Sequence, residues 1–510
     1  MRGISIGLIF IMTTAACVPG EVSGPDGEPT TTVPVESSTT SEPVVTTTTV
    51  PPQDCGPSVR DPGSVDVADP VAVAVAISRS TFDCADEVTL APVGDRTATA
   101  AAGRRAVEVG GPVLLVEGAL RGDVASEIRR LDPIRVGIIG LPDVPRDLLA
   151  AYELVELGPL EGTDPLPVRV DEPSRVWIVD DEVSEALWPV VWAAATQAGG
   201  SAVRSDGDLR GMRPVDLEAV EAGGDAPVIL VSSTDDAPWQ LEVIRTGRQL
   251  PGGGYLLFPG RRLVALYGNP STPALGVLGE QGPEEGVALI DELAGSYDDD
   301  GVPVTPAFEI IATIASSLAG RDGDYSAEMG VADLEPWVDA AAELGAYVVL
   351  DLQPGRSDFL TQARAYETLL RRPHVGLALD PEWRLGPGQF HLRQTGSVDA
   401  SEINAVAEWL AGIVREEALP QKLLLLHQFR FSMISNRDDV ITPPELAVVV
   451  QMDGQGPLAT KYETWSALTA GTADAGWRWG WKNFFDEDSP MATPEQVLEL
   501  EPVPVYVSFQ

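Results

Sequence analysis

The sequence has little positive charge and little histidine. Its 510 residues include 34 Lys and Arg, nearly all Arg, against 77 Asp and Glu, for a net charge of −43. This surplus argues against nucleic acid and against anionic lipid headgroups as partners, because both are polyanions. The three His, at positions 374, 391 and 427, argue against a His-rich zinc site. No cofactor is expected, although the many acids leave a divalent cation such as Mg²⁺ or Ca²⁺ open.

Long apolar runs are missing after the first few residues. The start, MRGISIGLIFIMTTAAC, carries one Arg and a short apolar run, too short for the ~18 residues of a spanning helix. This layout predicts a signal peptide over residues 1–17. The stretch from Thr14 to Cys17 resembles the lipobox of bacterial lipoproteins, with Thr14 in place of the usual Leu. The resemblance implies lipidation at Cys17, and plain secretion is the alternative.

Cysteine is scarce as well, with three in the chain. Residues 18–54 are mostly Thr, Pro, Val, Ser, Glu and Gly, a composition typical of an extended, disordered tether. If Cys17 carries lipid, Cys55 and Cys84 remain to form a disulfide in an oxidising compartment. Two unrelated free thiols are the alternative. We therefore expect an exported protein, held by its N-terminal lipid on the outer face of the cell membrane.

An α/β domain is predicted over residues 55–250. Short β-branched runs alternate there with Ala-rich helical stretches such as ATAAAGRRAVEVG, a pattern that predicts a parallel sheet with helices on its faces. The predicted strands are VAVAVAIS (71–78), EVTLAPV (87–93), GPVLLVE (111–117), RVGIIGL (135–141), RVWIVDD (175–181) and APVILVSS (226–233).

Part of this domain is similar to the cell wall-binding repeat 2 family of Gram-positive bacteria. The matching residues are Phe82, Ala85, Val88, Leu90, Ala91, Pro112 to Leu115, Ile128 to Leu131 and Val136 to Gly140. The similarity covers residues 70–155, with a weaker second copy over 175–235. It implies attachment to anionic polymers of the cell wall. The domain is itself acidic and shows no obvious basic groove, so an α/β spacer or lid is the alternative reading.

The C-terminal part, residues 255–510, predicts a (β/α)8 TIM barrel, and the Gly-rich stretch 250–260 predicts a hinge before it. Helical segments such as LEPWVDAAAELG separate most of its short apolar runs. The eight predicted strands are RLVALYG, AFEIIATIA, AYVVLDLQ, VGLALDPEW, KLLLLHQFR, LAVVVQMDG, WGWKNFF and VPVYVSFQ.

Polar residues end these strands, and active sites of such barrels lie at the carboxyl ends of the strands. On the fourth strand, period two places Ala378, Asp380 and Glu382 on the inward face and the large residues outward. The predicted catalytic acids are Glu382, Asp380, Asp351 and Asp453. The predicted substrate-binding residues are Gln353, Trp383, His427, Gln428, Gln451, Lys482, Asn483, Tyr267 and Gln510.

Converging acids suit two kinds of chemistry. One acid with a raised pKa can donate a proton while another stays ionised, as in glycoside hydrolysis. The same acids can instead hold a divalent cation for phosphodiesterase-like chemistry. For His427 a satisfied histidine of the rim is the alternative to a substrate or proton-relay role, and for Lys482 ion pairing is favoured over nucleophilic use. In the loop GRDGDYS, Asp322 and Asp324 predict a turn rather than a calcium loop.

The end of the fourth strand, Asp380-Pro381-Glu382-Trp383, resembles the D-x-E-W close of chitinase-like family 18 glycoside hydrolases. This implies that Glu382 is the acid and that Asp380 orients the substrate. Two positions depart from the family: Ala378 stands where a further acid is expected, and Met452 where a Tyr is. The sequence thus predicts a barrel that hydrolyses a cell-wall or extracellular polysaccharide, with a non-catalytic glycan-binding protein as the alternative.

Overall fold

The computed structural model describes Cys55 and residues 68–158, 165–295, 297–473 and 475–510, without the side chains of Glu182 and Ser184. The predicted signal peptide, Cys17 and the tether lie outside these residues. The chain divides into two compact units. The first extends to Gly207 and includes Val215–Pro238, and the second comprises Asp208–Pro214 and Trp239–Gln510. Among the described residues, no helix combines the length and the apolar character needed to cross a membrane.

The first unit is built from short parallel strands and helices. Its elements are α1 (Pro70–Thr81), β1 (Glu87–Pro92), α2 (Arg96–Val109), β2 (Val113–Val116), α3 (Gly122–Leu131), β3 (Arg135–Ile139), β4 (Glu153–Leu157), β5 (Val176–Asp180), α4 (Asp181–Ala198), β6 (Ser201–Ser205), α5 (Pro214–Glu221) and β7 (Val228–Val231). The helix α6 (Ala237–Arg245) follows.

Two parallel sheets make up this unit, and their topologies match. The first has the strand order β2-β1-β3-β4, and the second has the order β6-β5-β7. In each sheet the first strand of the chain lies between the second and the third, and helices connect them. The second sheet thus repeats the topology of the first, over the same residues where the sequence suggested a weaker second copy.

The stretch 71–78, predicted as a strand, is a helix instead and forms most of α1. Asp69 caps it by accepting a hydrogen bond from the backbone N–H of Ala72 at 3.0 Å, and Pro70 occupies its first position. Alternating Val and Ala imitate a strand, but nearly every residue of α1 is buried. Because a helix buried on all sides shows no 3.6-residue polarity, the prediction was wrong. Two strands were also missed, β4 and β6, whose charged residues interrupt short apolar runs.

One further feature of the first unit ties its beginning to the fold. Cys55 and Cys84 form a disulfide across 29 positions of sequence. Cys84 lies between α1 and β1, so the bridge encloses all of α1 in a covalent loop.

The second unit alternates strands and helices. Its elements are β8 (Arg262–Gly268), α7 (Pro283–Ala294), β9 (Val304–Ala315), β10 (Ser326–Glu328), α8 (Val331–Leu344), β11 (Tyr347–Leu352), α9 (Phe359–Ala365), α10 (Glu367–Leu370), β12 (Val375–Leu379), β13 (Val398–Asp399), α11 (Ala400–Glu416), β14 (Lys422–His427), β15 (Ile434–Ser435), β16 (Leu446–Met452), α12 (Leu458–Thr469), β17 (Arg478–Asn483), α13 (Pro494–Leu498) and β18 (Tyr506–Phe509).

Eight parallel strands of this unit close into a barrel, in the order β8-β9-β11-β12-β14-β16-β17-β18 and back to β8. The predicted TIM barrel is confirmed, and each of the eight predicted runs overlaps one barrel strand. β10 adds to β9 in the antiparallel direction, while β13 and β15 pair with each other outside the barrel.

The inside of the barrel begins with an apolar floor. Successive residues of each strand alternate between the two faces: on β12, Leu377 packs outward against the helices, and Ala378 faces in. The stretch 250–260, predicted as a hinge, belongs to the second unit and supplies Leu250, Leu257 and Phe258 to this floor. The stretch 250–260 therefore packs against the amino-terminal end of the barrel interior.

Candidate active site

A buried polar layer lies above the apolar floor, towards the carboxyl ends of the strands. Each strand supplies one residue to it, and each is at most 3% exposed. They are Tyr267 (β8), Glu309 (β9), Asp351 (β11), Asp380 (directly after β12), His427 (β14), Gln451 (β16), Lys482 (β17) and Ser508 (β18). Burying charged groups costs free energy, so these side chains must form ion pairs and hydrogen bonds with one another.

His427 forms several such contacts. Its Nε2 lies 2.7 Å from Glu309 Oε1, and its Nδ1 lies 3.1 Å from Asp453 Oδ2 and 3.7 Å from Asp380 Oδ2. Burial alone would lower the pKa of His427, but the surrounding carboxylates, with Glu309 and Asp351 foremost, raise it well above its usual value. The imidazole is therefore a cation that lies between acids of three strands, β9, β12 and β16.

A hydrogen-bonded chain of Tyr and Gln completes one side of the layer. Tyr267 donates from its hydroxyl to Asp351 Oδ2 at 2.9 Å and accepts from Gln353 Nε2 at 3.2 Å. On the neighbouring strand β18, Tyr506 donates to Glu309 Oε2 at 2.9 Å. Burial, reinforced by the charges of neighbouring carboxylates, raises the pKa of Asp351 to about 8, against the opposing influence of His427.

Glu382 is the half-buried acid of the group, because it lies in the short turn Pro381–Trp383 beyond the end of β12. Asp380 fixes the start of this turn by accepting from the backbone N–H of Glu382 at 3.3 Å. Burial, with the charges of Asp380 and Asp453, raises the pKa of Glu382 to about 8. At neutral pH this carboxyl keeps its proton.

The pKa of Asp453 shifts in the opposite direction to that of Glu382. Burial would raise its pKa, but the hydrogen bond and charge of His427 and the ammonium of Lys482 hold that pKa below its usual value. Lys482 Nζ lies 4.0 Å from Asp453 Oδ2 and 3.4 Å from the ring centroid of Tyr267. The barrel mouth therefore combines a protonated acid with an ionised one.

The backbone of Glu382 is clamped by the loop that follows it. The N–H of Gly396 donates to the carbonyl oxygen of Glu382 at 2.7 Å. A Cβ at position 396 would lie 2.5 to 2.6 Å from the carbonyl oxygens of Pro381, Glu382 and Arg384, so only glycine fits there. The loop of residues 384–397 thus begins just after Glu382 and, near its end, bonds back to the Glu382 backbone.

The structure brings together most of the residues predicted for the site. Gln353 bonds to Tyr267, and Gln451 donates from its amide to Ser508 Oγ at 2.6 Å. The residues gathered around the polar layer are Tyr267, Asp351, Gln353, Asp380, Glu382, His427, Gln451, Asp453 and Lys482.

Four predicted residues lie elsewhere. Asn483 follows the inward-facing Lys482 and so faces out of the barrel, where it accepts from Trp481 Nε1 at 2.8 Å. Gln428 stabilises a loop by accepting from Arg437 Nη1 at 2.9 Å.

The other two lie on the rim of the barrel mouth. Trp383 packs against His391, with 5.3 Å between ring centroids. Gln510 contributes to a separate hollow with Pro273, Val277 and Glu280.

Glu309, Tyr506 and Ser508 were not predicted. Glu309 is the charged residue within the apolar run AFEIIATIA, and period two from Ala307 places it on the inward face. The prediction rested on the residues at the ends of strands, whereas Glu309 lies in the middle of β9.

A cation could use part of this layer. Ligand atoms of Asp351, Asp380 and His427 lie within 4.8 Å of one another. However, His427 is protonated there and directs both nitrogens at carboxylates, so it would have to lose a proton to bind a metal. The loop acids Asp322 and Asp324 each accept a backbone N–H of their own loop, as in the predicted turn.

Comparison with known proteins leaves the site without a close relative. No protein-family model and no curated protein matches the chain. A D-allulose 3-epimerase from Methylomonas sp. aligns at 12% identity and a TM-score of 0.26, over 49% of this chain and 85% of that one. Cwp6 from Clostridium difficile aligns at 13% identity and a TM-score of 0.20, over 71% of this chain and 62% of that one. Likenesses this distant carry no argument about function.

Replacing Glu309 by Gln should lower the pKa of His427, because the variant removes the carboxylate nearest to the imidazolium. NMR titration of the imidazole signals measures this, and the small number of His simplifies assignment. Glu335→Gln, an exposed substitution on α8, is the matched control and should leave His427 unchanged. An unaltered His427 titration in Glu309→Gln would contradict the charge assignment.

Proposed function

We propose that the barrel hydrolyses glycosidic bonds of a cell-envelope or extracellular polysaccharide, with Glu382 as the general acid. The observation that carries the proposal is the opposite behaviour of two acids at the barrel mouth. The pKa of Glu382 is raised to about 8, whereas the pKa of Asp453 is lowered. Glycoside hydrolysis requires such a division, with one carboxyl group protonated and the other ionised.

In this mechanism Glu382 donates its proton to the oxygen of the leaving sugar. Its position beyond the strand end leaves it half-buried, within reach of a chain that lies across the mouth. Asp453, kept ionised by His427 and Lys482, supplies the negative charge that a developing oxocarbenium ion needs, as nucleophile or as base. Asp380 keeps the pKa of Glu382 high, and Asp351, whose own pKa is raised to about 8, holds the Tyr267 hydroxyl beside the site.

Unpartnered acceptors in the layer support a polyhydroxylated substrate. Within the described part of the chain, Asp351 Oδ1, Gln451 Oε1 and Asp453 Oδ1 are buried and accept no hydrogen bond. A buried acceptor without a donor is costly, and sugar hydroxyl groups are donors that would relieve the cost. Tyr267 and Gln353 stand beside these oxygens and add polar contacts for such a ligand.

Glu382→Gln should reduce turnover of a cleavable wall glycan by about 100-fold or more, because the amide cannot donate a catalytic proton. In the wild type, activity should fall as the pH rises through about 8, where Glu382 loses its proton. A panel of cell-wall and extracellular glycans, assayed for new reducing ends, provides the measurement. Glu335→Gln is the control and should retain full activity.

Equal turnover by wild type and Glu382→Gln would remove Glu382 from this role. Binding of glycans without any turnover by the wild type would instead identify the chain as a non-catalytic glycan-binding protein.

A metal-dependent phosphodiesterase-like barrel is the second candidate, because Asp351, Asp380 and His427 cluster closely. The layer already contains two cations of its own, since His427 is protonated and Lys482 lies beside Asp453. A divalent cation would meet their repulsion, which favours the glycosidase.

Excess Mg²⁺, Ca²⁺ or Mn²⁺, or a chelator, should therefore leave the thermal unfolding midpoint unchanged. The measurement is a melting curve of the full chain under each condition. A cation-dependent rise in the midpoint that disappears in Asp351→Asn would favour the metal-dependent barrel, since ligand binding to the folded state raises stability.

The proposal also places the protein at the cell envelope. The predicted signal peptide, Cys17 and tether would export it and anchor it to the membrane by lipid, and the first unit would attach to a wall polymer or serve as a spacer. Its repeated β-α-β-α-β topology is compatible with the resemblance to cell wall-binding repeats.

Cys17→Ser should release the protein from the membrane fraction into the medium of a bacterial host that processes lipoproteins, because no lipid can be attached. Immunoblots of the fractions, together with incorporation of labelled fatty acid, test this. Cys84→Ser is the control and should retain the lipid label. If wild type and Cys17→Ser both appear in the medium, plain secretion replaces lipid anchoring.

A further inference from the structure

Three arginines on the rim of the barrel mouth have no acidic partner. Arg356 follows β11, Arg393 lies in the loop after β12, and Arg430 follows β14. Within the described ranges none of the three takes part in an ion pair, whereas Arg371 and Arg384 of the same unit bind glutamates. In a chain with 77 acidic residues, three unpaired arginines in one place require an explanation.

Aromatic rings connect two of these arginines. The guanidinium of Arg356 lies 4.3 Å from the ring centroid of Tyr325 and 5.0 Å from that of Phe390. Arg393 approaches the same Phe390 ring at 5.4 Å, and this ring is 39% exposed. A guanidinium group that lies over an aromatic ring is attracted to it without using up its N–H donors.

The donors of the arginines are only partly used. Arg356 donates from Nη2 to the carbonyl oxygen of Gln389 at 2.8 Å, but its buried Nε has no partner among the described residues. Arg430 makes a long contact of 3.4 Å to Thr395 Oγ1. The backbone carbonyl of Asp324 accepts the N–H of Arg356, but the Asp324 carboxylate accepts the backbone N–H of Ser326 and forms no ion pair with Arg356.

Part of this arginine and aromatic cluster lies on the loop of residues 384–397, which bonds to the backbone of Glu382. Residues 384–397 carry Phe390, Arg393 and Thr395, and Gly396 bonds to the carbonyl oxygen of Glu382. His391 links Trp383 to Tyr325. Its ring packs on Trp383, and its Nε2 bonds to the carbonyl oxygen of Tyr325 at 2.9 Å. The loop that carries Phe390 and Arg393 is thereby held to the turn that carries Glu382.

We infer that Arg356, Arg393 and Arg430, with Tyr325 and Phe390, form a subsite for an anionic sugar unit of the substrate. The inference rests on the proposed function and names its substrate class, a glycan that bears carboxylate or phosphate groups. Guanidinium groups bind both anions through paired hydrogen bonds, and an exposed ring stacks on the apolar face of a sugar. A chain of net charge −43 repels polyanions, so it needs such a local positive patch to bind one.

The test uses the full chain with Glu382→Gln, so that no probe is cleaved and binding is read independently of hydrolysis. Three oligomers distinguish the sources of the anion: oligogalacturonate for carboxylate, oligo(glycerol phosphate) for phosphate, and a chitin oligosaccharide as the neutral sugar. Calorimetry at low and high salt gives the affinities. The added substitutions are Arg356→Gln with Arg393→Gln, Arg393→Gln alone, and Arg364→Gln, an exposed arginine of α9, as the matched control.

At least one anionic oligomer should bind more tightly than the neutral one, and salt should weaken it. The double substitution should weaken that binding by about tenfold or more, as expected for lost charge-assisted hydrogen bonds, and leave neutral binding unchanged. Arg364→Gln should change neither. Arg393→Gln alone, an exposed side chain that contacts the Phe390 ring, should act in the same direction without loss of fold.

Preference for the neutral oligomer, or equal losses for neutral and anionic oligomers, would overturn the inference. So would unchanged anion binding in both arginine variants. The absence of turnover by the wild type would refute hydrolysis instead, and the binding comparison would still decide the role of the arginines.

Discussion

A protonated histidine surrounded by carboxylates is the interaction on which the second unit depends. His427 is fully buried, and Glu309, Asp380 and Asp453 face its two nitrogens. Without this cation the acids at the ends of several strands would repel one another across a few ångströms of low dielectric. Its charge therefore allows the strands to carry acids inside a closed barrel.

The raised pKa of Glu382 follows from the same arrangement. His427 and Lys482 act most directly on Asp453, which stays ionised, and Glu382 is left with burial and the repulsion of its acidic neighbours. The apolar floor beneath the layer strengthens both effects, because it keeps water from screening the charges from below. One cluster of charges thus assigns different protonation states to two carboxyl groups.

The barrel could be predicted from the sequence because eight short apolar runs alternate with helical segments at the spacing of a (β/α)8 fold. A period-two argument placed Asp351 and Asp380 inside. Where the argument was applied only to strand ends, it missed Glu309 and wrongly grouped Asn483 with the inward Lys482. Beyond the strand ends, at Trp383 and Gln428, the alternation no longer applies, so side-chain directions there depend on loop contacts that the sequence does not display.

Helix α1 shows a different limit, since its Val-Ala alternation has the period of a strand, and only the Asp69 cap and Pro70 indicate a helix. Because α1 is buried on every side, its sequence lacks the alternation of polar and apolar faces that identifies a helix. Tertiary packing of this kind decides the secondary structure of a short apolar run.

The disulfide between Cys55 and Cys84 has a mechanical consequence. A covalent bridge carries tension along the chain in place of the longer segment that it encloses, and α1 lies wholly within that segment. A pull exerted on the chain before Cys55 is therefore transmitted through sulfur to Cys84, immediately before β1, and bypasses the helix. Such a load would enter the first unit next to β1, one of the two inner strands of its first sheet, and would leave α1 packed.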